Sequence, residues 1–109
     1  MSSANPFTPT GNTVTFTATT TAPVGVQAVS NGIGSIQYLV QNAGTAVVFL
    51  GVGASNTAAQ ANAVTVTSTG PAIPLLAGSI QVLTFAANAF FSGNATTSSV
   101  VYITPGDGA

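Results

Sequence analysis

The chain has 109 residues, with no Lys, Arg, His or Cys and a single acidic side chain, Asp107. Charged residues make up 1% of it, against about 25% in an average soluble domain. That composition excludes nucleic-acid binding by Lys and Arg, His- or Cys-based metal centres, disulfides and thiol redox chemistry, and hydroxyl nucleophiles activated by His or Lys.

The first segment, Met1–Gly11, carries Pro6 and Pro9, small polar residues and one aromatic, Phe7. Proline fixes φ and removes a ladder donor, so the segment reads as an extended arm outside the core. No basic stretch followed by an apolar one opens the chain, so it is expected to be made in a cytoplasm without export. From Thr13 to Thr19 threonines alternate with Val14, Phe16 and Ala18. Period-2 alternation of β-formers predicts a strand with one face buried, and an uncharged solvent face of threonines.

Further strands are predicted at Val24–Val29, Ser35–Gln41 and Thr45–Val52. Asn31-Gly32 and Asn42-Ala43-Gly44 supply turn chemistry, and the second is read as a tight hairpin between two apolar strands. In Ala46–Val52 both strand faces are apolar. A strand covered on one side only would alternate, so a loop of the same chain or a second subunit is expected to cover the other face. The small, polar stretch Gly53–Asn62 has helix-favouring alanines but no apolar stripe, and it reads as a loop.

Ala63–Thr67 repeats the threonine alternation, and Ser79–Phe85, Ala89–Phe91 and Ser99–Thr104 follow. Turn signals fall at Thr69-Gly70-Pro71, Ala77-Gly78 and Gly93-Asn94. In Ser79–Phe85, Ile80 and Val82 lie on one face, with Leu83 and Phe85 on the other. The chain ends on Thr104–Ala109, read as a turn-rich tail in which Asp107, followed by Gly108, is a turn residue. Gly34-Ser35-Ile36-Gln37 recurs as Gly78-Ser79-Ile80-Gln81, a weak hint of duplication.

About eight short strands at regular spacing predict an all-β fold, a single β-sandwich of jelly-roll or immunoglobulin-like type. The expected organisation is an arm over residues 1–11 and a sandwich over 12–109. The longest clear apolar run, Ala46–Val52, is far short of the roughly 20 residues that a membrane helix needs. One Asp cannot form the acid–base pair of a hydrolase or the several-oxygen cage of a hard metal ion. The expectation is a non-enzymatic protein without catalytic residues, cofactor or metal, and without a nucleic-acid or membrane partner.

Three stretches carry a family resemblance: Ser35–Gly51, Ile73–Leu83 and Val100–Gly108. Together they resemble small virion structural proteins of tailed bacteriophages, of the capsid decoration (cement) or head-fibre type. The resemblance implies a β-sandwich, frequently trimeric, bound to the outer surface of an icosahedral head. It implies the major capsid protein and further copies of itself as partners, and no catalytic residues. In that setting the arm residues Asn5, Pro6, Phe7 and Pro9 are expected to touch the capsid or a neighbouring subunit. Phe7 is the arm's aromatic anchor. Val47, Phe49 and Leu50 are expected to pack subunits together, because their strand is apolar on both faces. Beside this reading stand a filament-forming subunit, since uncharged sheet edges pair readily, and two further alternatives. One is another virion component, such as a tail or fibre β-domain. The other is a carbohydrate-binding sandwich for adhesion, stacking sugars on Tyr38, Tyr102 or Phe90-Phe91.

Overall fold

The computed structural model describes residues 7–30, 35–63 and 72–107. The strands in chain order are β1 (Thr8–Pro9), β2 (Val14–Ala18), β3 (Val26–Gln27), β4 (Ser35–Asn42) and β5 (Val48–Gly53). One helix, α1 (Asn56–Asn62), precedes β6 (Ile73–Leu75), β7 (Ile80–Ala86), β8 (Phe90–Asn94) and β9 (Ser99–Asp107). The strands form two sheets. The first runs β1-β9-β4-β7, with β2 also on β9, and the second runs β3-β8-β5-β6. Every strand pair is antiparallel.

Counting β2 to β9 as successive strands, the first sheet orders them first, eighth, third, sixth. The second orders them second, seventh, fourth, fifth. That interleaving is the jelly roll, two Greek keys wrapped into a sandwich, and not the immunoglobulin arrangement. Inward residues alternate as the sequence predicts. Phe16 and Ala18 of β2, Tyr38 and Val40 of β4, Val48 and Leu50 of β5, and Val101 and Ile103 of β9 share one core. Tyr38 and Phe91 meet edge to face, their ring centroids 4.9 Å apart, and Phe85 joins them 5.8 Å from Phe91.

Several expectations are corrected. Gly53–Asn62 is not a loop. Ser55 caps α1 by accepting a hydrogen bond from the Ala58 N–H at 3.1 Å. The helix lies on the outer face of β5, where small residues meet small residues. A Cβ at Gly51 would overlap the backbone of Ala59 and Ala63, and one at Gly53 would strike Ala58. An apolar stripe of large side chains is absent because the surface beneath is made of glycine. The helix is tied down by Gln60 Nε2 donating to Ala22 O at 2.9 Å and Asn62 Nδ2 donating to Val52 O at 2.8 Å.

Asn42-Ala43-Gly44 is not a hairpin turn. β4 and β5 belong to different sheets, and the segment crosses between them around the buried Asn42 side chain. Gly93-Asn94 is part of β8 and not a turn. The turn falls instead at Ala87-Asn88, where Asn88 adopts φ 59°, a conformation asparagine tolerates better than most residues. The predicted strand Val24–Val29 shrinks to Val26–Gln27, with Val24 and Val29 exposed. Ala77-Gly78 is a turn as expected, with Gly78 at φ 74°.

The first and last described strands both join the first sheet. Thr8 and Pro9 pair with Asp107 and Gly106, so this part of the arm is an edge strand. The expected tail is strand through Asp107, which is therefore not a turn residue. The recurring Ile36-Gln37 and Ile80-Gln81 lie on paired strands, but Ile36 packs on the core while Ile80 is exposed. They are not equivalent positions of a repeat. Residues 1–6, Asn31-Gly32, Val64–Thr67 of the predicted strand Ala63–Thr67, and Thr69-Gly70-Pro71 lie outside the described residues.

Candidate interaction surface

With β4 and β9 central in the first sheet, strand alternation fixes which side chains its outer face presents. The register places Thr15, Tyr102, Gln41 and Ile80 in one row across β2, β9, β4 and β7. Thr104, Leu39 and Val82 form the next row. Ile80 is 59% exposed and Tyr102 42% exposed, while Leu39, Val82 and Val100 are half-buried. The threonines border this apolar centre. Thr15 Oγ1 donates to Val101 O at 3.0 Å, and the hydroxyls of Thr13 and Thr104 lie 2.6 Å apart. These bonds engage the hydroxyls of Thr13, Thr15 and Thr104 within the sheet itself.

The arm crosses one end of this face. Phe7 is half-buried over Gly106, where a Cβ would overlap the phenyl ring and the Thr8 carbonyl. Glycine at 106 is what lets the arm lie flat. Between the arm and β4 runs an open groove of about 610 Å³, bordered by Phe7, Pro9, Thr13, Leu39 and Thr104. The only acidic side chain, Asp107, is exposed at the end of β9. Elsewhere the face offers only apolar side chains and neutral hydrogen-bonding groups.

The structure separates the residues singled out by sequence. Asn5 and Pro6 lie outside the described residues. Phe7 and Pro9 sit beside the groove. Phe49 is half-buried on the outer face of the second sheet, on the opposite side of the sandwich, and Val47 is half-buried just before β5. Leu50 is fully buried between the sheets. It is a core residue, and its expected role in packing subunits is corrected on that ground. The second face of β5 is covered in part by α1 of the same chain. Sequence reasoning names Tyr102 only as a sugar-stacking aromatic and does not join it with Leu39 and Val100 in one surface. For Tyr102 and Val100 the signal is the run Val100–Ile103, apolar on both faces, and for Leu39 it is the adjacent apolar pair Leu39-Val40.

The sugar-stacking alternative loses two of its aromatics. Tyr38 and Phe91 are wholly inaccessible. The Tyr38 hydroxyl donates to Ala86 O at 2.6 Å and accepts from Ala89 N–H at 3.2 Å. Burial pushes its pKa above the ordinary value of 10.0, against the opposing pull of the Ala89 and Asn88 backbone amides. No family model matches the chain, and neither a curated protein nor a solved structure matches it.

Proposed function

We propose that this chain is a non-enzymatic bacteriophage structural protein, a decoration (cement) protein that binds the outside of the icosahedral head as a homo-oligomer. The observation that carries the reading is the broad, nearly uncharged outer face of the first sheet, centred on Ile80, Val82, Leu39 and Tyr102 and flanked by the arm. Such a face suits permanent burial against a protein surface. A jelly roll is a scaffold used by viral shell proteins and by lectins alike, so the fold supports the class without choosing the role. The choice rests on the surface and on the chain's near-total lack of charge.

The mechanism follows from linkage. A protein that binds only the assembled shell, touching neighbouring capsomers at once, shifts the equilibrium toward the intact particle. Here the contacts are apolar side chains and neutral hydrogen bonds. The major capsid protein is the partner, and the outer capsid surface is the location. Cryo-electron microscopy of particles from the source is the test. Jelly-roll density is expected outside the shell, with the Ile80–Tyr102 face against capsomers. Purified particles that lack the chain would overturn the proposal.

A further inference from the structure

We infer that β7 is an assembly edge, through which two copies of this chain pair antiparallel into one continuous sheet. The inference concerns the isolated protein and stands whether or not it decorates a shell. It starts from how the sandwich treats its edges. A row of unpaired backbone groups invites another strand, and proteins blunt such edges with proline, charge, bulges or short length. β3 has 2 residues, and β6 has 3 with Pro74 at its centre. β1 has 2 residues, one of them Pro9. The margin of β2 is tied to the second sheet through the Thr19–Asn94 bridge and the Ala95 N–H bond to Thr19 O at 2.9 Å.

β7 has none of these devices. Its 7 residues, Ile-Gln-Val-Leu-Thr-Phe-Ala, contain no proline and no charge, and β4 is its one strand partner among the described residues. The direction of its backbone groups follows from two bonds. Asn42 N–H donates to Ser79 O at 3.0 Å, and on the other side Ala43 N–H donates to Val100 O at 2.8 Å. An antiparallel ladder alternates along the strand. Gln81, Leu83 and Phe85 therefore exchange bonds with β4, and the N–H and C=O groups of Ile80, Val82 and Thr84 point away from it.

The occupant is a second copy. An extended segment is the only shape that satisfies alternating donors and acceptors at this edge. A partner selected by charge finds nothing here to complement. Self-pairing meets no like-charge repulsion, since the chain has no Lys or Arg and its one Asp lies on β9. Pairing about a twofold axis at Val82 sets Val82 against its own counterpart and Ile80 against Thr84, both favourable β-branched pairs. Ile80, exposed in the single chain, is then partly covered. The outer faces of the two copies join into one apolar surface.

Val82→Pro tests this directly, because the proline removes an N–H that points away from β4 and edge positions tolerate proline. Sedimentation equilibrium should give a dimer for the native chain and a monomer for Val82→Pro, with the circular dichroism spectrum retained. Val82→Cys gives an independent readout without disturbing the strand. Facing hydrogen-bonded residues have Cα atoms about 5.5 Å apart, within disulfide range. Mild oxidation should link this cysteine-free chain into a covalent dimer through position 82, and Thr17→Cys should not. A monomeric native chain, a trimer, or a dimer that survives Val82→Pro with Val82→Cys uncrosslinked would overturn the inference.

Discussion

Asn42 is fully buried, and its amide makes every bond it can. Nδ2 donates to Ala46 O at 2.8 Å and to Leu75 O at 3.0 Å. Oδ1 accepts from Gly44 N–H at 3.1 Å and from Ser99 Oγ at 2.9 Å. The side chain thus joins the end of β4, the crossing segment, β6 and the start of β9. Asn42→Ala strands those groups away from water, and each unpaired buried group is costly. The expected loss is about 2 to 4 kcal/mol of unfolding free energy in urea titration. A loss under about 1 kcal/mol would mean that water replaces the amide. Tyr38 gives a second prediction at this scale. Its folded pKa is raised by burial, so the unfolded chain releases that proton first as pH rises. The contribution is complete below about pH 10 and is lost as pH climbs through the folded value. In a Tyr102→Phe background, the ultraviolet titration of the remaining tyrosine should have its midpoint above 10.

The contact of α1 with β5 is the element whose order sequence reasoning missed, and it is the most sensitive to a single methyl group. Gly51→Ala drives a Cβ into the backbone of Ala59 and Ala63. The helix must lift, and the expected cost is about 2 kcal/mol or more. Gly78→Ala meets open space and only the strain of φ 74°, so it should cost about 1 kcal/mol. Equal losses in thermal unfolding would refute the close approach. The same comparison explains what was legible. Alternation such as Val14, Phe16, Ala18 reports one buried face, and it gave the sandwich because large side chains mark that face. The helix had no such mark, since Ala59 and Ala63 bury themselves against glycines. The Asn42 crossing looked like a hairpin because turn residues reveal a change of direction and not which sheet the chain enters next. The doubly apolar runs showed that β5 and β7 had two covered or coverable faces. They did not show that α1 covers one, nor that Leu50 points inward while Phe49 points out.

For the whole molecule, the absence of charge sets the response to solution conditions. Acid unfolding of most proteins comes from protonating paired carboxylates or charging buried histidines. This chain has no His, no basic side chain to pair with, and one exposed carboxylate side chain, Asp107. Its urea midpoint should therefore hold nearly constant through the acid and neutral range and fall only on the alkaline side, where Tyr38 ionises. The proposed attachment to a shell follows the same logic. Surface ion pairs are screened within about 10 Å at 0.1 M salt, and proteins that dock by charge lose affinity steeply as salt rises. A surface of Ile80, Leu39, Val82 and Tyr102 has no ion pair to screen, and apolar burial is not weakened by added salt. Occupancy on particles, measured by densitometry after washing from low to molar sodium chloride, should change by less than about twofold. Tyr102→Asp should strip the protein from particles, because it buries an uncompensated charge at the centre of the face. Thr57→Asp, on exposed helix surface across the sandwich, should leave occupancy unchanged. If both substitutions act alike, or if salt alone releases the protein, the first sheet's outer face is not what holds it.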